Sequence, residues 1–258
     1  MTKLVESMRE EWNKRAKQNA FFYIASWRKD WDEKSFFGSG EEDYQRLVAP
    51  ILLQLSLSTE RSSMAELGCG AGRMTRAFAP RFLSVTAIDI SEVMQSRAKE
   101  LLSDYPNVSW VLTEGTSLAA IGSDSLDFVF SYLVLQHYPT VELITASIRE
   151  MLRILRPGGV FLFQFNGSNK PTMNWKGRTI STVLDGLVSI GLNRLAKGCA
   201  ELARIDPEML GKTWRGAALS SSQVEEIVRA AGGVPSGFTG ADTPLAWCFG
   251  RKTAQAGS

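Results

Sequence analysis

The 258-residue chain has one histidine, His137, and three cysteines, Cys69, Cys199 and Cys248. Thiols so few and so far apart make no disulfide framework, and they suit a reducing compartment. No cysteine or histidine recurs at metal-ligand spacing, so no metal site is expected. Long apolar runs are also lacking: the nearest to the roughly 18 residues that span a bilayer, from Val183 to Ile190, is interrupted by Asp185 and Gly186. Met1 to Glu11 is charged and carries no apolar core of signal-peptide length, so a cytoplasmic protein without a membrane span is the expectation. The charge balance, 29 Lys+Arg against 27 Asp+Glu, leaves +2 with both signs mixed along the chain. A nucleic-acid partner, which needs a concentrated basic surface, has no support there.

What the chain does contain is alternation. From Ser63 onward short β-rich runs alternate with helical segments, the pattern of a parallel sheet covered on both faces. Strands are predicted at Ser63–Leu67, Ser84–Asp89, Val108–Thr113, Leu126–Tyr132, Val160–Phe165, about Gly237–Thr239 and Ala246–Gly250. Helices are predicted at Glu42–Leu57, Arg73–Phe82, Ser91–Leu102, Val141–Leu155 and Ser222–Ala231. Ser91 reads as an N-cap, and Arg156-Pro157-Gly158-Gly159 as a sharp turn from helix into strand.

Two regions stand outside the alternation. Residues 1–40 hold a helical stretch to about Ala25 and then Trp27, Trp31, Phe36 and Phe37, following Phe21, Phe22 and Tyr23, as an N-terminal aromatic cap would. Residues 166–215 carry Ile180, Val183, Leu184, Leu187, Val188, Leu192, Leu195 and Cys199 at helical spacing, which suits an inserted lid or an oligomer surface. The two look alike in sequence, so oligomeric state stays open. The main domain is expected over 41–252, including the insertion, with a tail at 253–258.

Chemistry concentrates at Met64-Ala65-Glu66-Leu67-Gly68-Cys69-Gly70-Ala71-Gly72-Arg73. A strand with one carboxylate opens into three glycines at spacing two, a turn that lets a ligand approach backbone at the start of a helix. A dinucleotide fingerprint would need glycine where Arg73 stands, so a nicotinamide cofactor is weakened without being removed.

This Glu66-x-Gly68-x-Gly70-x-Gly72 run resembles the first motif of class I S-adenosylmethionine-dependent methyltransferases. Three later segments resemble theirs in order: Ala87-Ile88-Asp89-Ile90-Ser91, Thr113-Glu114-Gly115-Thr116, and Ser125-Leu126-Asp127-Phe128-Val129-Phe130-Ser131-Tyr132 continuing through His137. The resemblance runs from about Glu42 through Lys252 and implies a Rossmann-like α/β fold, a seven-stranded, mostly parallel sheet with helices on both faces. It implies S-adenosylmethionine as cofactor and S-adenosylhomocysteine as product. Asp89 would hold the ribose, Glu114 and Gly115 the adenine, and Glu66 the charged methionine end, while Gly68, Gly70 and Gly72 admit the cofactor. Cys69, Ile90, Met94 and Leu133 would line the same site. Trp12-Asn13-Lys14-Arg15-Ala16 is similar to the opening helix of such enzymes, with Arg15 reaching the cofactor carboxylate.

Strand four ends Ser131-Tyr132-Leu133-Val134, not in the Asn/Asp-Pro-Pro-Tyr/Phe run that amino-methylating nucleic-acid enzymes resemble, and no paired-glutamate loop is present. Ser131 and Tyr132 are poor Mg²⁺ ligands. A small apolar or aromatic acceptor is therefore expected, methylated on oxygen in preference to nitrogen or carbon, with Trp175 and Trp214 in or beside the insertion as further aromatic surface. His137, with an unperturbed pKa near 6.5, is the side chain suited to take the acceptor's proton. A dehydrogenase and a non-catalytic cofactor-binding scaffold stay open as alternatives.

Overall fold

A computed structural model of the chain describes residues 2–168, 183–184, 186–187, 192–202 and 216–253. Strands β1 (Ser63–Leu67), β2 (Ser84–Asp89), β3 (Val108–Leu112), β4 (Leu126–Ser131), β5 (Leu155–Phe165), β6 (Gly233–Thr239) and β7 (Ala246–Lys252) form a seven-stranded sheet in the order β3-β2-β1-β4-β5-β7-β6. The pairs from β3 to β5 are parallel, and β7 runs antiparallel to both β5 and β6. Because β2 and β3 lie on one side of β1 and β4 on the other, the strand order reverses between β1 and β4. Open α/β sheets bind ligands beyond the carboxyl ends of strands at such a reversal.

The central strands are largely apolar because both faces are covered. Phe161, Phe163 and Phe165 point to one face, where Leu143, Ile144, Ile148 and Met151 of α6 (Val141–Ile154) and Val224 and Val228 of the helix Ser221–Ala230 pack on them. Val160 and Leu162 point to the other, with Phe128, Phe130, Phe78 and Trp247. The period of two along β5 thus divides one strand between two cores.

The predicted elements are present with shifted ends. The helix expected at 42–57 starts earlier, as α2 (Glu33–Asp43), capped by Asp32, whose Oδ1 accepts the Ser35 N–H at 2.7 Å. It continues through a π turn, Tyr44–Val48, into α3 (Ala49–Gln54). The helix expected from Arg73 to Phe82 is confined to α4 (Thr75–Phe78), since residues before it are taken up by the glycine turn. Ser91 caps α5 (Glu92–Leu101), its Oγ accepting from Met94 N at 3.1 Å. Arg156-Pro157-Gly158-Gly159 does not separate helix from strand: it is a bulge within β5. Register jumps from Leu126↔Leu155 to Phe128↔Val160, with Arg156 paired to Asp127 at 2.8 Å.

The N-terminal region is helical and packs onto the sheet's ligand-binding end. α1 (Thr2–Ile24) is broken at Asn19 (φ −164°, ψ 89°), whose Oδ1 accepts the Phe22 N–H at 3.1 Å. Phe21 stacks on Phe36 at 4.1 Å between ring centroids, and Phe36, Phe37 and Ala25 are buried with Ala71 of the glycine turn and Leu102 beyond α5. Asn13 of α1 accepts from Ser91 Oγ at 2.7 Å, which joins the cap to the start of α5.

Much of the expected insertion at 166–215, including Trp175 and Trp214, lies outside the described residues. Within it, α7 (Asn193–Leu202) buries Ala196 and exposes Leu195 and Cys199. Ser221–Ala230 is α8. Among the described residues no helix is long and apolar enough to cross a membrane.

A buried ion pair joins the cap to the glycine turn. Arg73 Nη1 donates to Asp43 Oδ2 at 2.8 Å and to Ser39 O at 3.2 Å, with the side chains only 3% and 9% exposed. The pair on α8, Arg229 with Glu225 at 2.8 Å, is 55% and 42% exposed. Removing one partner of a buried pair strands the other charge in a poor solvent, a cost of about 3–5 kcal/mol, whereas an exposed pair contributes about 0–1 kcal/mol. Asp43→Ala should therefore lower unfolding free energy by at least about 2 kcal/mol more than Glu225→Ala. Denaturant titration of the two variants checks this, and equal losses would contradict the burial argument.

Candidate functional site

The site is built from the turn after β1. Gly68, Gly70 and Gly72 have φ of 78°, 54° and 86°, values that a side chain disfavours. The turn is fastened to β2 by backbone: Gly68 and Cys69 N–H groups donate to Ile88 O at 2.8 and 2.9 Å. The last residue of β2 completes the fastening. Asp89 Oδ2 accepts from Gly70 N at 2.7 Å, and Oδ1 accepts from Ser91 N at 2.8 Å. One carboxylate thus sets both the glycine turn and the entry to α5, and each oxygen keeps a further lone pair.

The glycines differ in what they approach. A Cβ on Gly70 would come within 2.7 Å of Ile24 Cδ1, from the cap, whereas one on Gly72 would come within 2.7 Å of Leu102 Cδ1 and 3.5 Å of Ala98 Cβ, on the α5 side. Gly70 therefore serves the cap and the cavity, and Gly72 serves helix packing.

A cavity opens over this turn. Of the residues expected at the cofactor, Glu66, Gly68, Cys69, Gly70, Asp89, Ile90, Met94 and Leu133 line it, as does His137. Gly72, Arg15, Glu114 and Gly115 do not. Arg15 is buried elsewhere in the cap, 4.9 Å above the Trp12 ring and 3.4 Å from Glu11. Glu114 is exposed. The Gly115 N–H, expected to face adenine, donates to Thr113 Oγ1 at 3.3 Å, and a Cβ there would lie 2.8 Å from Val5 Cγ1. Thr113, two positions before Gly115, lines the cavity instead.

The expected cap does reach the cavity, through Met8, Trp12, Tyr23 and Ile24, none of which was among the residues expected at the cofactor. Sequence reasoning also missed Arg73, Met74, Tyr132, Val134 and Tyr138. Long-range contacts carry no local signal, but the aromatic density before residue 40 was one. Arg73, standing where a dinucleotide turn would have glycine, lies 5.4 Å from the Tyr132 ring.

Burial dominates the electrostatics. Loss of solvent pushes the Glu66 carboxyl up to about 8, against the Thr75 hydroxyl, which donates to Oε2 at 2.6 Å, and the Arg73 charge. The Asp89 carboxyl rises to about 6, burial again outweighing the N–H groups of Ser91, Gly70 and Ile90. Both acids thus favour a cation that would enter beside them. His137 is buried, meets the Trp12 ring edge-on at 5.1 Å, and has Nε2 3.2 Å from Gln136 Nε2.

Comparison with known proteins agrees with this arrangement. A family model described as a methyltransferase domain matches residues 65–163. The chain is 32% identical over 117 residues to the biotin biosynthesis bifunctional protein BioHC of Cellvibrio japonicus, covering 45% of this chain and 22% of that protein. It is 26% identical over 196 residues to the ubiquinone biosynthesis O-methyltransferase of Stutzerimonas stutzeri, covering 75% and 79%. The chain spans less than half the length of the first curated relatives it matches. In fold it is similar to magnesium protoporphyrin IX methyltransferase from Synechocystis PCC 6803, solved with bound S-adenosylhomocysteine, with a TM-score of 0.62 at 17% identity over 97% of this chain and 100% of that one. Residues 65–163 thus match a methyltransferase domain, and the seven-stranded sheet that carries them has the fold of S-adenosylmethionine-dependent methyltransferases.

Proposed function

We propose that the cavity binds S-adenosylmethionine and that the chain transfers a methyl group to a small apolar or aromatic acceptor, on oxygen in preference to nitrogen or carbon. The observation that carries this reading is the pair of buried carboxylates, Glu66 and Asp89, at the ends of adjacent parallel strands around a positive-φ glycine turn. The cofactor, when bound, supplies a sulfonium methyl group open to in-line displacement. The residues present fit it. Asp89 has lone pairs left for ribose hydroxyls, Ile90 and Met94 offer an apolar bed for a base, and Glu66 faces the end where a cationic amine would sit.

The cavity lining includes three aromatic residues, Trp12, which meets the His137 ring, Tyr132 and Tyr138. That composition favours an apolar or aromatic acceptor. His137 is proposed to take the proton of the acceptor hydroxyl, which would free that oxygen to receive the methyl group the cofactor supplies. The S. stutzeri relative is named an O-methyltransferase, which supports oxygen as acceptor by similarity.

Incubation with methyl-labelled S-adenosylmethionine and a metabolite library should give a product heavier by one CH₂ whose mass identifies the acceptor. His137→Ala should lower that turnover about 10²–10⁴-fold with cofactor binding intact. Full turnover by His137→Ala would remove the base assignment.

The raised carboxyl of Glu66 gives a second test. Below about 8 the group is protonated in the cavity, and an ammonium placed beside it favours the ionised form. Binding of S-adenosylhomocysteine at pH 7 should therefore release a proton, and affinity should rise with pH between about 6 and 8, by at most about tenfold per unit. Calorimetry in buffers of different ionisation enthalpy measures the proton count. Proton uptake over that window would contradict the role given to Glu66.

A further inference from the structure

Gln164 is a fully buried amide in the otherwise apolar run Val160–Phe165 of β5, a place where a polar side chain must satisfy itself locally. Its Oε1 accepts the Leu133 N–H at 3.1 Å. The two hydrogens of its Nε2 are shared among three acceptors, Phe165 O and Pro244 O, both at 2.9 Å, and Gln136 Oε1 at 3.1 Å. Turning this amide over would set its oxygen against two backbone carbonyls and its nitrogen against a backbone N–H, so one orientation survives.

That orientation propagates. With Gln164 Nε2 donating, the group of Gln136 that faces it must be the oxygen, and the other end of the Gln136 amide, its nitrogen, is the end 3.2 Å from His137 Nε2. Gln136 Nε2 has only hydrogens to offer, so His137 Nε2 must be the acceptor. We propose that Gln164, acting through Gln136, is a positioning residue that holds His137 as the Nδ1–H tautomer, with the Nε2 lone pair engaged by the Gln136 amide. The same side chain fixes Leu133, whose φ of 60° is unusual for a branched residue, at the cavity wall.

The consequence for chemistry follows directly, and it rests on the methyl-transfer reading only for the part it gives His137. The lone pair that a base would use is the one Gln136 covers. An acceptor hydroxyl reaches it by taking the place of the Gln136 N–H; its O–H bond then breaks as the Nε2–H bond forms, leaving an imidazolium.

Because the chain has one histidine, its ring nitrogens are read without ambiguity by two-bond ¹H–¹⁵N correlation on the uniformly labelled, ligand-free protein at about pH 8.5, above the ordinary histidine range. The expected spectrum has a protonated Nδ1 and an unprotonated Nε2. Gln136→Met, which removes the donor, should lower the ratio of Nδ1–H to Nε2–H tautomer roughly fivefold, the equilibrium weight of one ordinary hydrogen bond. Gln164→Met, which never touches the ring, should move it in the same direction. A wild-type protein with Nε2 protonated, or a ratio that Gln136→Met leaves in place, would overturn the assignment. A ratio moved by Gln136→Met and unmoved by a folded Gln164→Met would remove Gln164 from it. If Gln164→Met does not fold, the wild-type spectrum and Gln136→Met decide. Each readout is independent of catalysis, so failure to find methyl transfer and failure of the tautomer assignment are distinct results.

Discussion

The Asp89 carboxylate is the point on which the site depends. It receives one N–H from the glycine turn and one from the entry to α5, and it does so while buried. A carboxylate out of water needs such donors, and a turn of positive-φ residues needs an external partner to stay in one conformation. Each requirement meets the other. With the turn fixed, Gly70 and Ala71 give the cap a flat surface on which Ile24, Phe36 and Phe37 pack, and Arg73 is aimed out to Asp43 in α2. Cap, turn and sheet end are in that sense one structure.

Closure by the cap explains the chemistry of the cavity. Met8, Trp12, Tyr23 and Ile24 exclude solvent from Glu66 and Asp89, and loss of solvent is the leading cause of the raised carboxyls. A buried acid that is costly to ionise alone becomes a good partner for a ligand carrying positive charge. The same exclusion lets the hydrogen-bond relay from Gln164 to His137 act without competition from water.

The sheet was largely legible in the chain, and the reasons are local. β1 and β2 fall at their predicted residues because a strand buried on both faces is a short apolar run with sharp polar ends. Ser91 was readable as a cap because a hydroxyl before a helix has one common use. Arg156–Gly159 misled because turn chemistry and bulge chemistry use the same residues, and only pairing with β4 separates them. In the site, spacing could not tell a glycine that faces the cap and cavity, Gly70, from one that faces a helix, Gly72. Arg15 and Trp12 lie within one turn of α1, yet of the two only Trp12 lines the cavity. Gln164 carried a signal that was available and unused: a single amide in Val-Phe-Leu-Phe-Gln-Phe has to be buried, and a buried amide has to be doing something specific.

The most direct test of the site is a calorimetric titration of the full chain with S-adenosylhomocysteine and, separately, with NAD. Saturable one-to-one binding of S-adenosylhomocysteine with no binding of NAD is the predicted result, following from Arg73 in place of the third dinucleotide glycine and from the role proposed for Glu66. Binding of NAD without S-adenosylhomocysteine would contradict it.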